Sequence, residues 1–565
     1  MSPTKPLVLR GRRGRDGGSA PAATPADTEY VLRPRLAPHV VVHEPAEAGT
    51  PWIVQAGQKY LRVGADMGRL LEALDGERDH EGLARRLGAP WTASDVEKAV
   101  AQLQRTRLLD DGSEHRPKGT WFKYVPPMTL QFTVLKPQWL LDRMMPLIGR
   151  LATPAGAVAA AVLALGGVIA LALQTPALAR SLGEPLPIAI LFAVTAATFA
   201  TTGLHELGHG AALAYYGGRP SRMGFMLFYM TPAFFCDVSD GWRLPRREQR
   251  TRIALAGIVV QLVVGGTAAV SALVVGRAGG ASTLYDAMVV FAVSTYVSGV
   301  LNLVPFVKFD GYLALMSHLD ISHLRDRAMT DARRAVARVL FGGTYARELP
   351  RLPWAVPFGL VCMVFPLYLV GVAATLWADI LQSLGVLGTV LVVAAVCYLL
   401  YRLGLGARRL LEEARRAGAR PWRTGVVSVL IAAAVIALTA FVKVPYTVVG
   451  GFVRDGDRIE LVLAETSDVD VIGKGTEVRL QRRGVVLRTD VGTGVVTDGT
   501  PRSGTAPLSA FLPVREVDDL PMPVVSFPLR AEEAPSENYG MAYVEVGSRP
   551  VGEWLFLTYV APTWR

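Results

Sequence analysis

The chain has 565 residues, 51% of them hydrophobic, and a mean hydropathy of +0.31, too apolar for an ordinary soluble enzyme and long enough for several domains. The formal charge of +11 does not mark a nucleic-acid binder, because much of the arginine excess lies beside apolar runs, where it reports membrane topology. Three cysteines, Cys236, Cys362 and Cys397, support neither a disulfide framework nor a cysteine-based zinc site.

In chain order, residues 1–29 are rich in Arg, Gly, Pro and Ala and carry no apolar signal-peptide core, so a disordered tail is expected. Residues 30–112 read as a small soluble domain. Strand-like stretches ("HVVVHE", "PWIVQA", "KYLRV") precede "ADMGRLLEALDGE", whose apolar positions recur at helical spacing. "HEGLARRLG" reads as a second helix closed by Gly88, and Thr92-x-x-Asp95 as the cap of a third, "VEKAVAQLQRTRLL". Strands followed by three short helices suggest a winged-helix shape. Residues 113–150 read as a linker.

Residues 151–442 hold about seven candidate spans, each near the ~20 apolar residues that cross a bilayer. They are Ala155–Gln174, Leu186–Ala212, Ile253–Val275, Leu284–Val307, Trp354–Trp377, Ile380–Leu403 and Thr424–Val442. The loops 219–252, 308–351 and 402–423 are strongly basic, while the alternate loops near Arg180, Arg277 and Asp379 are nearly uncharged. Positive loops stay inside, so the N-terminus is expected in the cytoplasm and the C-terminus outside. Residues 443–565 are net acidic and alternate in β-branched residues between Gly and Pro turns. The expected architecture is a polytopic α-helical membrane protein with an N-terminal winged-helix-like domain and a C-terminal β-rich extracytoplasmic domain.

The second span ends in "TTGLHELGHG". Residues four apart share a helix face, so His205 and His209 can bind one zinc ion from successive turns, with Glu206 placed to take a proton from water. The competing reading is two helix-end histidines bonded to backbone or headgroups. Ionisable groups inside a membrane are costly and functional by default. A catalytic zinc needs a third protein ligand. His39, His43, His80 and His115 belong to the soluble domain or its linker, and His318 and His323 follow a later span. The better candidate is Asp310 in "NLVPFVKFDGYLAL", where Gly311 permits a sharp turn and Pro305 can break the preceding helix. Alone, Asp310 could equally be a helix-end carboxylate paired with Lys308. Topology favours the ligand, because the second and fourth spans both run inward and bring the two motifs to one depth.

"HELGH" on one span and "N-x-x-P-x-x-x-x-D-G" on another resemble the site-2 protease family of intramembrane zinc metallopeptidases. The resemblance implies one zinc ion held by His205, His209 and Asp310, Glu206 as general base, and Asn302 helping to hold the substrate carbonyl. Val304 before Pro305 and Phe309 before Asp310 depart from the commoner Asn-Pro-x-Pro and Leu-Asp-Gly forms, which bears on the role of Asn302. The intervening "RMGFMLFYMTPAFFCDVSDGW" reads as a re-entrant or interfacial β-like loop, or as an amphipathic surface anchor. By the same resemblance it offers a substrate-binding edge, with Phe225, Leu227, Tyr229 and Pro232 as contact positions. Asp237 and Asp240 read as braces of this loop, and Cys236 as packing.

Residues 30–112 resemble the precursor-recognition domains of ribosomal modified-peptide pathways, of the pyrroloquinoline-quinone chaperone type, in which a leader peptide adds as a strand. The alternative is a generic winged helix. The whole arrangement is similar to metalloproteases of peptide natural-product pathways such as those for daptides, and the C-terminal region loosely to export adaptors. The expected function is therefore leader removal from a precursor peptide at the plasma membrane. The expected partners are that peptide, membrane lipid and an exporter or biosynthetic enzymes, without nucleic acid. The alternatives are regulated proteolysis of a membrane-anchored signalling protein, or a non-catalytic export or immunity component.

Overall fold

The computed structural model describes residues 33–45, 51–57, 59–110, 121–125, 129–228, 231–277, 282–383, 386–464, 467–512, 514–516, 520–531 and 535–561. The expected tail, 1–29, lies outside them. The chain divides into two compact units, Met1–Thr120 and Trp121–Arg565.

In the first unit, β1 (Val40–His43), β2 (Trp52–Ala56) and β3 (Lys59–Val63) form an antiparallel sheet in that order. Three helices follow, α1 (Ala65–Ala73), α2 (His80–Leu87) and α3 (Ala93–Arg105). Two of them start where a side chain replaces the missing helical acceptor. Asp79 accepts from the Gly82 N–H, and Thr92 accepts from the Asp95 N–H at 3.2 Å while donating to the Asp95 carboxylate at 2.6 Å. Val54, Leu70, Leu71, Leu83, Val96 and Val100 form the buried core, which is the apolar face that the helical spacing announces.

The second unit begins with β4 (Phe122–Val125), β5 (Thr129–Leu135) and the helix α4 (Gln138–Leu151). The stretch read as a linker is therefore largely ordered. Its strands pair with β7 (Met223–Phe228) and β8 (Thr231–Cys236) in a four-stranded sheet of order β4-β5-β7-β8. The apolar loop between the two motifs is thus a β-hairpin, joined to strands about ninety positions earlier in the chain.

The helices that follow are α5 (Pro154–Leu173), α6 (Thr175–Gly183), α7 (Ile188–Tyr215), α8 (Arg247–Arg277), α9 (Ser282–Asn302), α10 (Asp310–Leu319), α11 (Leu324–Phe341), α12 (Ala355–Ser383), α13 (Val386–Arg416) and α14 (Pro421–Phe441). Among the described residues, six helices are long and apolar enough to cross a membrane, lying in α5, α7, α8, α9, α12 and α14. The expected span Ile380–Leu403 overlaps the end of α12 and α13, and falls in part outside the described residues. The expected span Leu284–Val307 is shorter than its apolar run. Its helix ends at Asn302, and residues 303–309 leave helical geometry around Pro305.

Helix α8 is the central rod against which α5, α7, α9 and α10 pack. Small residues allow that approach, since hydrocarbon gives helices no hydrophobic reason to associate and close packing must supply the attraction. A Cβ on Gly266 would stand 2.2 Å from the Leu163 carbonyl oxygen, and one on Gly167 would stand 2.4 Å from the Gly266 Cα.

The C-terminal region is a β-barrel. β9 (Lys443–Asp455), β10 (Arg458–Ala464), β11 (Glu477–Arg483), β12 (Arg488–Val496), β15 (Pro521–Ala531) and β16 (Tyr539–Pro550) run in the order β10-β9-β16-β11-β12-β15, and β15 closes onto β10. β13 (Arg502–Pro507) extends the sheet along β15. Phe452, Leu461, Leu463, Leu480 and Phe527 fill the interior. A last helix, α15 (Val551–Tyr559), follows. The barrel is fastened to the segment before α7. β14 (Val514–Arg515) pairs in parallel with β6 (Leu186–Pro187), and the N–H groups of Val486 and Leu487 donate to the Leu182 carbonyl at 3.0 and 2.9 Å. Gly484 meets Gly183 so closely that a Cβ on it would stand 2.3 Å from the Gly183 carbonyl carbon.

Candidate metal centre

His205 and His209 lie one turn apart on α7, each 4% exposed. Their rings meet edge to face, with 3.1 Å between the two Nε2 atoms. Asp310 is the first residue of α10, and its Oδ2 stands 2.7 Å from His205 Nε2 and 3.3 Å from His209 Nε2. The backbone after α9 doubles back so tightly that a Cβ on Gly311 would lie 1.9 Å from the Leu303 carbonyl oxygen. Glycine after Asp310 is therefore required by close backbone approach, since its φ is not in the left-handed region. One ligand atom from each of the three side chains lies within 4.8 Å of the others.

The donor chemistry fits a divalent cation. His209 Nδ1 lies 2.7 Å from the Ile253 carbonyl oxygen, so its N–H donates there and Nε2 keeps its lone pair for the cluster. A second lone-pair nitrogen and a carboxylate oxygen then face it at hydrogen-bond range or closer, an arrangement that repels itself unless a cation or protons lie between. Ligand atoms around a tetrahedral zinc stand ~3.3 Å apart for bonds of ~2.0–2.1 Å. Two of the three separations are near that value and the third, 2.7 Å, is shorter. His205 Nδ1 is buried without a hydrogen-bond partner, so ring orientation at His205 rests on packing and on whatever its Nε2 binds.

Helix α8 forms the wall behind the cluster. A Cβ on Gly257 would lie 2.6 Å from both imidazole Nε2 atoms, so only hydrogen is tolerated there. One turn on, Gln261 is 1% exposed, donates to Ser298 Oγ at 3.0 Å and accepts from the Asn302 amide at 3.2 Å. Asn302 is thus oriented from α8. Neither Gly257 nor Gln261 stands out in the sequence, although a lone amide inside "IALAGIVVQLVVGG" is a usable signal.

Glu206 faces the end of β8, where its Oε2 accepts from the Cys236 N–H at 2.7 Å. β8 pairs with β7 on one side alone among the described residues and is an edge strand. Its Phe234 lies against α7, with ring centroids 4.6 Å from Phe199 and from Phe225. Phe225 and Leu227 sit on the inner strand β7, whose backbone is paired with both β5 and β8, so they offer side chains only. Pro232 lies on β8 opposite Leu227. Tyr229 lies outside the described residues, as does His115.

Asp237 braces the hairpin as expected, accepting from Ser221 Oγ at 2.8 Å and from Ser239 N and Oγ at 3.1 and 2.6 Å. Burial alone would raise its pKa, but those hydrogen bonds and Arg222 outweigh it and hold the carboxyl below its ordinary value. Asp240 accepts from the Arg219 N–H at 2.8 Å. Burial, then the neighbouring Glu206 and Asp237 carboxylates, push the Cys236 thiol up to about 12, which leaves it protonated and inert. Further back, Arg250 of α8 is buried and donates to Asp320 at the C-terminus of α10 at 2.6 Å and to the Leu244 carbonyl at 2.7 Å. The helix that begins with Asp310 is thereby tied at its far end to the rod that backs the histidines.

Over 120 residues the chain is 29% identical to the "Putative peptide zinc metalloprotease protein YydH" of Bacillus subtilis (strain 168). That match covers 21% of this chain and 44% of the relative, so the chain spans less than half the length of the protein it resembles. No protein-family model and no solved structure matches the chain.

Proposed function

We propose that the protein is a zinc-dependent membrane endopeptidase of the site-2 protease type that removes the leader from a modified ribosomal precursor peptide, as in daptide-like pathways. The observation that carries this reading is the convergence of His205, His209 and Asp310 from two separate segments, with Glu206 between that cluster and an open strand edge. The likeness to a relative named for zinc-dependent peptide cleavage supports the chemistry.

When bound by the three side chains, zinc supplies a Lewis acid for the scissile carbonyl and lowers the pKa of water. The chain's own residues do the rest. The substrate adds as a strand along β8, which unwinds it and frees its carbonyls from helical hydrogen bonds. The Cys236 N–H holds one oxygen of Glu206, and the other takes the proton of the attacking water and returns it to the amide nitrogen as the C–N bond breaks. Asn302, held by Gln261, turns an N–H toward the substrate carbonyl. Phe225, Leu227, Tyr229 and Pro232 offer side-chain contacts.

The leader is recognised by the first unit, where β3 pairs only with β2 among the described residues and presents an open edge. The N-terminal unit is cytoplasmic and the barrel extracytoplasmic, where it meets an exporter. The test is cleavage of the co-encoded precursor by wild type and Glu206→Gln, with zinc content measured in both. The expected outcome is zinc retained and cleavage reduced about 10²–10⁴-fold. Cleavage at the wild-type rate would overturn the assigned base. Wild type without bound zinc or cleavage would overturn the enzyme reading.

A further inference from the structure

Away from the metal centre, a cavity of about 400 Å³ opens where the C-terminal ends of α11 and α13 meet the first turns of α14. Its walls change character along the chain of α14. Arg420, Trp422 and Arg423 line it at the start of that span, Val426 and Val427 follow further along it, and Phe341 comes from the end of α11. No acidic residue lines it. The carboxylates nearest in sequence are engaged elsewhere: Glu412 pairs with Arg408 at 3.0 Å, and Glu413 lies 3.6 Å from both Arg333 and Arg334.

The two guanidinium groups have different standing. Arg423 is pinned, donating through Nε to the Leu340 carbonyl at 3.1 Å and through Nη2 to the Val339 carbonyl at 3.2 Å. These are end-of-helix acceptors of α11, which need a donor from outside the helix. A positive charge is therefore fixed at the rim without spending rotamer entropy on ligand binding. The Arg420 guanidinium makes no hydrogen bond or ion pair among the described residues, and the residue is exposed at the mouth. Gly342 and Gly418, both at positive φ, end their helices without adding a side chain to the wall.

Depth decides which anion fits. α14 is one of the apolar spanning helices and begins at Pro421, so Arg420 stands at the membrane–water boundary and Val426 and Val427 one turn into the hydrocarbon. Trp422, 65% exposed, occupies the level where indole rings collect at membrane interfaces. A basic pocket beside a spanning helix at that level, continuous with an apolar wall, matches a phosphodiester headgroup with an acyl chain running down from it. We propose that this cavity is a binding site for an anionic phospholipid, its phosphate held by Arg420 and Arg423 and its chain laid along Val426 and Val427. The site does not depend on the peptidase reading.

The test uses the full chain in mild detergent, with phosphatidylglycerol, phosphatidylcholine or inorganic phosphate added, read by native mass spectrometry and thermal unfolding. Arg423 also caps α11, so the informative variants are Arg420→Gln and Arg420→Lys, with Arg351→Gln as an exposed arginine outside the cavity. Wild type should retain phosphatidylglycerol in preference to phosphatidylcholine. Arg420→Gln should weaken that binding about fivefold, the loss of roughly one surface arginine–lipid attraction, while Arg420→Lys and Arg351→Gln leave it unchanged. Equal retention of both lipids, or unchanged phosphatidylglycerol binding in Arg420→Gln, would overturn the site. Binding of inorganic phosphate that abolishes lipid selectivity would reassign it to a free anion.

Discussion

At the scale of the residue, the candidate centre depends as much on atoms that are missing as on the donor groups that are present. Gly257 gives up its side chain so that two imidazoles can share one point in space. Gly257→Ala should therefore leave His205, His209 and Asp310 in the chain yet strongly reduce zinc content, measured by metal analysis of protein that still unfolds cooperatively. Gln261 makes a different contribution. Replacing it with Leu leaves the Asn302 amide without its acceptor, a loss that costs about 1–3 kcal/mol when such a group stays buried. The expected result is kcat lowered about tenfold with zinc content unchanged. Unchanged kinetics would show that Asn302 needs no such support. The three candidate ligands, His205, His209 and Asp310, which the fold brings together, were suggested by four-residue spacing and by the expected direction of two spans. Gly257 was not, because a small residue acting from the back of a site looks, in one dimension, like any other member of an apolar helix, and Gln261 showed only as a lone amide in an apolar run.

At the scale of the element, the strands were the hardest to read. "TWFKYVPPMTLQFTVL" looks like a tether, and its β character becomes evident only beside a hairpin far along the chain. The hairpin itself was recognisable by its aromatics, its proline and its lack of a spanning helix. Helix ends were read well where chemistry marks them, as at Gly88 and Thr92, and less well at Asn302, where the apolar run continues past the break. The short helix α10 shows why ends matter. Its first residue is Asp310 and its C-terminal neighbour, Asp320, is held by Arg250. Removing the buried guanidinium in Arg250→Leu strands the Leu244 carbonyl and frees that end of the helix. A destabilisation of about 1–3 kcal/mol should appear as a lower unfolding midpoint, together with weaker zinc retention on dialysis. Normal retention would show that Asp310 is placed by the Gly311 crossing alone.

At the scale of the whole molecule, composition and arginine placement gave a membrane protein with soluble material at both ends, and the second unit bears out the apolar helices and the β-rich C-terminal region. The manner of their joining could not be read. Nothing in "RRGVVLRT" announces that its turn donates two N–H groups to Leu182 and sets Gly484 against Gly183. That clasp has a mechanical meaning. Helix α7 is held ahead of its first residue by contacts to the closed barrel and near its last turns by the cluster of His205, His209 and Asp310, so a change of tilt would have to disturb one of them. Bilayers of different thickness are normally accommodated by helix tilting. Here that compliance must come from elements the barrel does not clamp, or from the lipid itself. Activity in vesicles of increasing acyl length should accordingly vary little for the wild type and more steeply for Gly484→Val, whose side chain would force the clasp open. The barrel then acts as a bearing that keeps the ligand-bearing helix at a constant pitch while the surrounding membrane thickens and thins.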